Sequence, residues 1–256
     1  MTSSLFDLSD RVALVTGSSR GIGLALATGL AQAGARVVLH GRDPVVLESA
    51  RAELAGASGA TVFTTVFDVT DASEVAVGVA RVESEVGPLD ILVNNAGIQR
   101  RNPFVEFTLS DWDDLVATNL SSVFFVGQAV ARRMVPRGRG KIVNIGSVQS
   151  QLGRPGIAPY AATKGGVAML TKGMCADLGP SGIQVNALAP GYFDTELTRA
   201  LVEDTAFSEW VRTRTPAGRW GQLNDLIGAL VFLCSDASDF VNGQVLYVDG
   251  GMTAVV

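Results

Sequence analysis

A chain of 256 residues that is 47% hydrophobic and 18% charged, with 29 glycines, has the composition of a compact α/β domain rather than of a disordered or fibrous chain. Its net charge of −5 comes with no block of basic residues, which argues against a nucleic-acid partner or an anionic membrane surface. The lone His40 and the well-separated Cys175 and Cys234 offer no metal site and read as core groups. With no apolar run of membrane-span length and no leader pattern in "MTSSLFDLSD", the expectation is a soluble, cytoplasmic protein.

The first strand is "RVALVT" (11–16), and it runs through "TGSSRGIG" (16–23) into a helix over 21–34. Gly17, Gly21 and Gly23 allow a tight turn, a close backbone approach to a pyrophosphate, and a helix N-terminus whose free N–H groups favour anions. The second strand, "RVVLH" (36–40), ends in "HGRD", where a dinucleotide site meets the adenosine ribose. Arg42, with Arg20 from the glycine loop, could hold a 2′-phosphate; alternatively Asp43 serves the ribose hydroxyls. The pair of cations favours NADP, with NAD possible, and His40 is expected to pack at the strand end. A helix over 44–56, a strand "TVFTTVF" (61–67), a helix over 71–87 and a strand "LDILVNN" (89–95) follow. Next come a helix over 111–135, with Ser110 as its N-cap, and a strand "GKIVNIGS" (140–147). A helix over 158–179, strand "IQVNALAP" (183–190), helix over 223–236 and strand "GQVLYVD" (243–249) complete the alternation.

Most of these strands are continuous apolar runs, which implies burial on both faces and a parallel sheet. The predicted fold is therefore a Rossmann-type, doubly wound, seven-stranded parallel sheet with helices on both faces. It forms one domain over 1–256, and the mixed segment 191–222 breaks the rhythm and reads as a small substrate lid.

Ser147 ends the fifth strand, and Tyr160 and Lys164, four residues apart, share one helix face. A free tyrosine titrates near 10, so a neighbouring ammonium that favours phenolate would bring it into working range. Ser147 could hydrogen-bond the same substrate oxygen and polarise a carbonyl as it accepts hydride.

"TGSSRGIG", "NNAG" (94–97), Asn119 in "VATNLSS", Ser147, the Tyr160–Lys164 pair and "PGYFDT" (190–195) together resemble the short-chain dehydrogenase/reductase family across essentially the whole chain. The resemblance implies a catalytic tetrad of Asn119, Ser147, Tyr160 and Lys164, with Asn119 holding a helix kink and a water that relays protons to Lys164. It implies cofactor contacts from Gly17, Ser19, Arg20, Gly21, Ile22 and Gly23 in the loop, and from Arg42, Asp68 and Val69 at the adenosine end. Asn95, Ala96 and Gly97, then Pro190, Gly191 and Thr195, would line the nicotinamide half, with Tyr160 and Lys164 touching its ribose. A homotetramer is the family tendency, and the apolar faces of the two long helices suit it.

Three stretches, "NNAGIQRRNPFVEF", "SVQSQLGR" and the region around "PGYFDTELTRALVEDTAFSEWVRTRTPAGRWG", are similar to the branch of that family that interconverts 5-keto-D-gluconate and D-gluconate. A sugar-acid substrate gives the paired arginines a purpose, since a guanidinium binds a carboxylate bidentately. Arg100, Arg101 or Arg154 would supply it, beside Ser147, Gln149 and Tyr160, with Asn102 and Gln151 available to hydroxyls. Where that branch has "SELGR" this chain has "SQLGR", so Gln151 carries no carboxylate. The neighbouring readings are a 3-oxoacyl-[acyl-carrier-protein] reductase, which shares the catalytic motifs, another keto-sugar or polyol reductase of the same family, and a non-catalytic NADP(H)-binding regulator, which an altered tetrad would favour.

Overall fold

The computed structural model of the chain describes residues 5–256. Seven parallel strands form one sheet in the order β3-β2-β1-β4-β5-β6-β7: β1 Val12–Val15, β2 Arg36–Gly41, β3 Val62–Val66, β4 Ile91–Asn94, β5 Gly140–Ile145, β6 Ile183–Pro190 and β7 Val245–Val248. The chain reverses its direction of travel between β1 and β4, which register Ala13 against Ile91 and Val15 against Val93. That crevice, outside the carboxyl ends of the strands, is where an open α/β sheet takes its ligand.

The continuous apolar runs now have a physical account. Side chains alternate between the two faces of a strand, and both faces of this sheet are covered. Ala13 and Val15 join Leu26, Leu30, Leu47 and Leu230 on one side, while Val12 and Leu14 join Val79, Val126, Val130 and Met134 on the other. The first layer comes from α1 (Gly21–Gln32) and α2 (Pro44–Ser58), the second from α3 (Ala72–Glu85) with later helices. Truncating one such fully buried leucine, Leu30 for instance, costs ~2–5 kcal/mol.

The helix expected over 111–135 differs in two ways. It begins earlier, as α4 (Leu109–Val116), because Thr108 rather than Ser110 is the N-cap: the Thr108 side chain accepts the Asp111 N–H at 3.0 Å. It is then interrupted by a π-helical turn, Ala117–Ser121, before α5 (Ser122–Met134) resumes. The expectation of no apolar run of membrane-span length also needs correcting. The helical stretch Leu109–Arg137 spans 29 residues with a mean hydropathy of 1.2 in its richest window, long and apolar enough by length and composition. Its apolar residues Leu115, Val126, Val130 and Met134 are buried in the fold.

α6 (Ala158–Leu178) packs beside β6, and the segment 191–222 carries two short helices, α7 (Arg199–Glu203) and α8 (Thr205–Arg214). α9 (Ile227–Cys234) returns to the face of α1, where a Cβ on Gly29 would stand 2.5 Å from Ile227 Cγ2.

Candidate active site

The glycine loop is shaped by what stands behind it. Gly17 has a φ of 61°, and a Cβ there would lie 2.9 Å from Ala96 Cα; a Cβ on Gly23 would collide with the Gly17 carbonyl oxygen and stand 2.5 Å from Asn95 Nδ2. Asn95, just past β4, donates from Nδ2 to the carbonyls of Thr16 (2.9 Å) and Gly17 (3.0 Å). The Thr16 hydroxyl in turn accepts the N–H groups of Asn95 and Ala96. Arg20 stands at the N-cap of α1 without a side-chain cap, and the first turn of α1 has no acid. Its N–H donors and dipole thus face outward over a cradle only glycine permits, the chemistry a pyrophosphate needs.

At the adenosine end, Arg42 is exposed and its Nη1 lies 3.9 Å from Asp68, a loose contact. The carboxylate of Asp43 is occupied: it caps α2 by accepting the N–H groups of Val45 and Val46. That leaves the cations Arg20 and Arg42, rather than Asp43, free to meet the ribose substituent. Asp68 accepts from the Thr70 N–H and hydroxyl, which hold its pKa below the usual carboxylate range, and Val69 beside it is buried.

Of the four predicted tetrad positions, Asn119, Ser147 and Lys164 are each held by short bonds to the chain around them. Asn119 is fully buried in the π-helical turn, where its Oδ1 accepts the Ile98 N–H (2.8 Å) and its Nδ2 donates to the Ile98 carbonyl (2.9 Å). This spends both ends of the amide on the loop after β4, packed so closely that a Cβ on Gly97 would be 3.2 Å from Oδ1. Ser147 opens a short 3-10 turn, Val148–Ser150, and its hydroxyl accepts the Gln149 N–H at 3.1 Å. Ser150 links that turn to α6 by donating to the Lys164 carbonyl at 2.9 Å. Lys164 donates from Nζ to the Ile145 carbonyl (2.7 Å) and lies 5.8 Å from the centre of the Tyr160 ring; burial pushes its pKa down to about 8.

The electrostatics of Tyr160 correct the sequence-based expectation. Burial raises its pKa, and the groups that pull it down are the Ser147 hydroxyl and the Arg101 guanidinium, not Lys164. The reason is geometric: the Lys164 ammonium is directed at the end of β5. A tyrosine in this state is a phenol, a proton donor.

The three arginines part company. Arg100 turns toward α4, with Nε 3.5 Å from Asp111 and Nη2 3.7 Å from Asp114. Arg101 and Arg154 have no carboxylate within 4.0 Å among the described residues. Instead they approach each other: burial and then the Arg154 charge lower the pKa of Arg101, while the charges of Tyr160 and Tyr192 oppose this. A backbone bond from Asn102 N–H to the Gly156 carbonyl (3.2 Å) draws their two loops together. Two like charges near each other without an acid produce a local positive potential that favours an anion. Gln149 is buried here with Oε1 unbonded among the described residues, whereas Gln151 is exposed.

Tyr192, which sequence reasoning passed over, belongs to this group. Its hydroxyl is buried without a hydrogen-bond partner among the described residues, and the nearby Arg154 and Arg101 draw down a pKa that burial raises. The ring meets Phe207, Trp210 and Trp220 of the 191–222 segment edge-on at 5.6, 5.7 and 5.8 Å, and the Arg154 guanidinium lies 5.2 Å over Phe207. Its position directly after Pro190 and Gly191, at the carboxyl end of β6, was the available signal. Thr195 is buried below, its hydroxyl in a reciprocal capping box with Thr198.

Comparison with known proteins agrees with this geometry. A family model described as enoyl-(acyl carrier protein) reductase matches residues 17–253. The gluconate 5-dehydrogenase of Gluconobacter oxydans (strain 621H) is 64% identical over 249 residues, covering 97% of each chain. The 5-keto-D-gluconate 5-reductase of Escherichia coli (strain K12) is 52% identical over 256 residues, 98% of this chain and 99% of the other. The crystal structure of a gluconate 5-dehydrogenase from Burkholderia cenocepacia J2315, in complex with NADP and tartrate, superposes with a TM-score of 0.97 at 57% identity over 100% of both chains.

Proposed function

The chain belongs to the short-chain dehydrogenase/reductase family, and from that premise we propose that it interconverts 5-keto-D-gluconate and D-gluconate with NADP as hydride carrier. The observation that carries this reading is the pair Arg101 and Arg154, near enough for each charge to act on the other, beside Tyr160 and Tyr192 and without a carboxylate partner among the described residues. They suit a substrate bearing one carboxylate and a chain of hydroxyls. Tyr192 adds a hydroxyl without a partner among the described residues beside the two arginines, and Gln149, two residues after Ser147, a second unpartnered polar atom.

The glycine cradle fits a dinucleotide: Gly17, Gly21 and Gly23 would admit the pyrophosphate and Arg20 and Arg42 the 2′-phosphate of NADPH, which would supply the hydride for C5. Tyr160 gives its phenolic proton to the substrate oxygen as that carbon is reduced, a step its raised pKa favours because the group stays protonated. Ser147 hydrogen-bonds the same oxygen and stabilises its developing charge. Lys164, an ammonium at neutral pH that donates to the Ile145 carbonyl rather than to the phenol, is left to hold the nicotinamide ribose and to pass a proton on through water. Asn119 holds the loop after β4 against the π-helical turn at Ile98, three residues before Arg101.

We further read the molecule as a single dinucleotide-binding unit over 1–256 with a lid at 191–222. It assembles as a homotetramer through its two long helices, whose Leu109, Trp112, Phe124 and Met169 are large apolar side chains open to solvent. Two unpaired thiols suit a cytoplasmic setting.

The test is loss of the reduced-nicotinamide absorbance with 5-keto-D-gluconate, L-sorbose or an acetoacetyl thioester as acceptor. L-sorbose is the same ketone with a hydroxymethyl group in place of the carboxylate. Turnover of the keto acid well above that of L-sorbose supports the assignment. Turnover confined to the thioester overturns the substrate while leaving the tetrad.

A further inference from the structure

His40 is the one histidine of the chain and lies buried at the tip of β2. Its Nδ1 accepts the N–H of Gly17 at 3.1 Å, which requires that nitrogen to be unprotonated and puts the ring proton on Nε2. Nε2 then donates to the Phe67 carbonyl at 3.0 Å, and the ring packs on Phe67 with centroids 4.1 Å apart. The main chain of His40 is committed the same way: its N–H donates to the Ser18 hydroxyl and its carbonyl accepts the Ser18 N–H, both at 2.9 Å. Gly17 and Ser18 begin the phosphate loop, and Phe67 directly precedes Asp68 at the adenosine end. One imidazole therefore spans the two parts of the cofactor site. Burial moves its pKa from 6.5 to about 4, so it keeps the acceptor lone pair at neutral pH.

We propose that His40 is a positioning residue for the dinucleotide: its neutral, Nε2-protonated ring fixes the separation between the phosphate loop and the adenosine-side edge of β3. It touches no substrate and takes no part in proton transfer. The proposal rests on the NADP reading of the loop. Without a side chain at this position, a buried N–H and a buried carbonyl both lose their partners.

Asparagine and glutamine separate the two bonds. The amide of Asn can reach Gly17 in place of Nδ1 but not Phe67, and that of Gln extends to Phe67 in place of Nε2. NADPH binding to the untagged wild-type protein is measured first, by the rise in nicotinamide fluorescence; no binding there overturns the cofactor reading itself, and this inference with it. With binding established, H40N should raise the KM and dissociation constant for NADPH about 10-fold and H40Q by about 10- to 100-fold. The kcat at saturating NADPH and the KM for the keto acid should stay within about twofold. Unchanged NADPH binding in folded variants, or a fall in kcat with KM unaltered, overturns the proposal. A second measurement needs no variant. A long-range proton–nitrogen NMR spectrum of the wild type contains a single imidazole. The neutral Nε2–H pattern at pH 7, shifting when NADPH is added, is the expected result. An imidazolium, the opposite tautomer, or a pattern indifferent to NADPH overturns the assignment.

Discussion

Removing Arg101, Arg154 and Arg100 in turn tests the anion site most directly, because the three sit in different electrostatic settings. A hydrogen bond to a charged group is worth about 1.5–3 kcal/mol, so Arg101→Ala and Arg154→Ala should each lower kcat/KM for 5-keto-D-gluconate by about 10- to 150-fold. Arg100 answers to Asp111 and Asp114 at 3.5 and 3.7 Å with 44% of its side chain exposed, a pairing worth at most about 1 kcal/mol. Arg100→Ala should therefore cost less than about fivefold. The control is L-sorbose. If the two guanidiniums hold the carboxylate, the wild type is poor on L-sorbose and the Arg101 and Arg154 variants lose little more on it. Steady-state rates of NADPH oxidation on both acceptors measure this. Melting of the protein without ligand adds an independent reading, since Arg101 is held against the Arg154 charge: relieving that repulsion should leave Tm unchanged or raise it. Equal losses on the two acceptors, or a loss in Arg100→Ala matching the others, would refute the reasoning.

Other consequences can be checked in the same preparations. Tyr192→Phe, which removes only the unbonded hydroxyl, should raise the KM for the keto acid about 3- to 10-fold with NADPH binding unaltered; isothermal titration and kinetics decide. Gly23→Ala places a methyl group against the Gly17 carbonyl and Asn95, so NADPH binding should fall by more than about 100-fold while circular dichroism stays close to wild type. Asp43→Ala should cost about 1 kcal/mol of stability through loss of the α2 cap, and should not alter the preference between NADPH and NADH. His40 titrates at 6.5 in the unfolded chain and about 4 in the fold, so between those values the unfolded state binds the extra proton. Stability should accordingly drop as pH falls through that window, by about 3 kcal/mol in full. Denaturant midpoints of wild type against H40N from pH 7 to pH 4 isolate this slope from that of the carboxylates.

Much of the molecule was legible in the residue order because the relevant physics is local or periodic. Strands covered on both faces must be apolar throughout, and "RVALVT" and "IQVNALAP" say so. The Tyr160–Lys164 spacing places two groups on one helix face without further knowledge. What escaped depended on neighbours distant in sequence. Thr108 and Ser110 are comparable caps on paper, and the geometry of the preceding turn chose between them. Periodicity alone did not announce the π-helical turn around Asn119; the family resemblance implied a kink there, and the turn brings that amide to Ile98. The arginines could be sorted only once α4 had placed two acids beside Arg100. The role of Lys164 in lowering the Tyr160 pKa failed because side-chain direction, not spacing, decides which charge a phenol feels.

The way Asn95 and Ala96 brace the glycine loop also bears on how the protein acquires its cofactor site during synthesis. The loop looks self-contained in the first 23 residues, yet Gly17 rests on Ala96 and its carbonyl is held by Asn95. A nascent chain that has made β1, α1 and β2 has a loop braced on the His40 side alone, and the other side must wait until β4 emerges and docks beside β1. Cofactor therefore acts on the folding equilibrium only after that long-range closure, and it stabilises the joined sheet rather than its amino-terminal half. In hydrogen exchange, saturation with NADPH should slow the amides of β4 together with those of β1, as one cooperative unit.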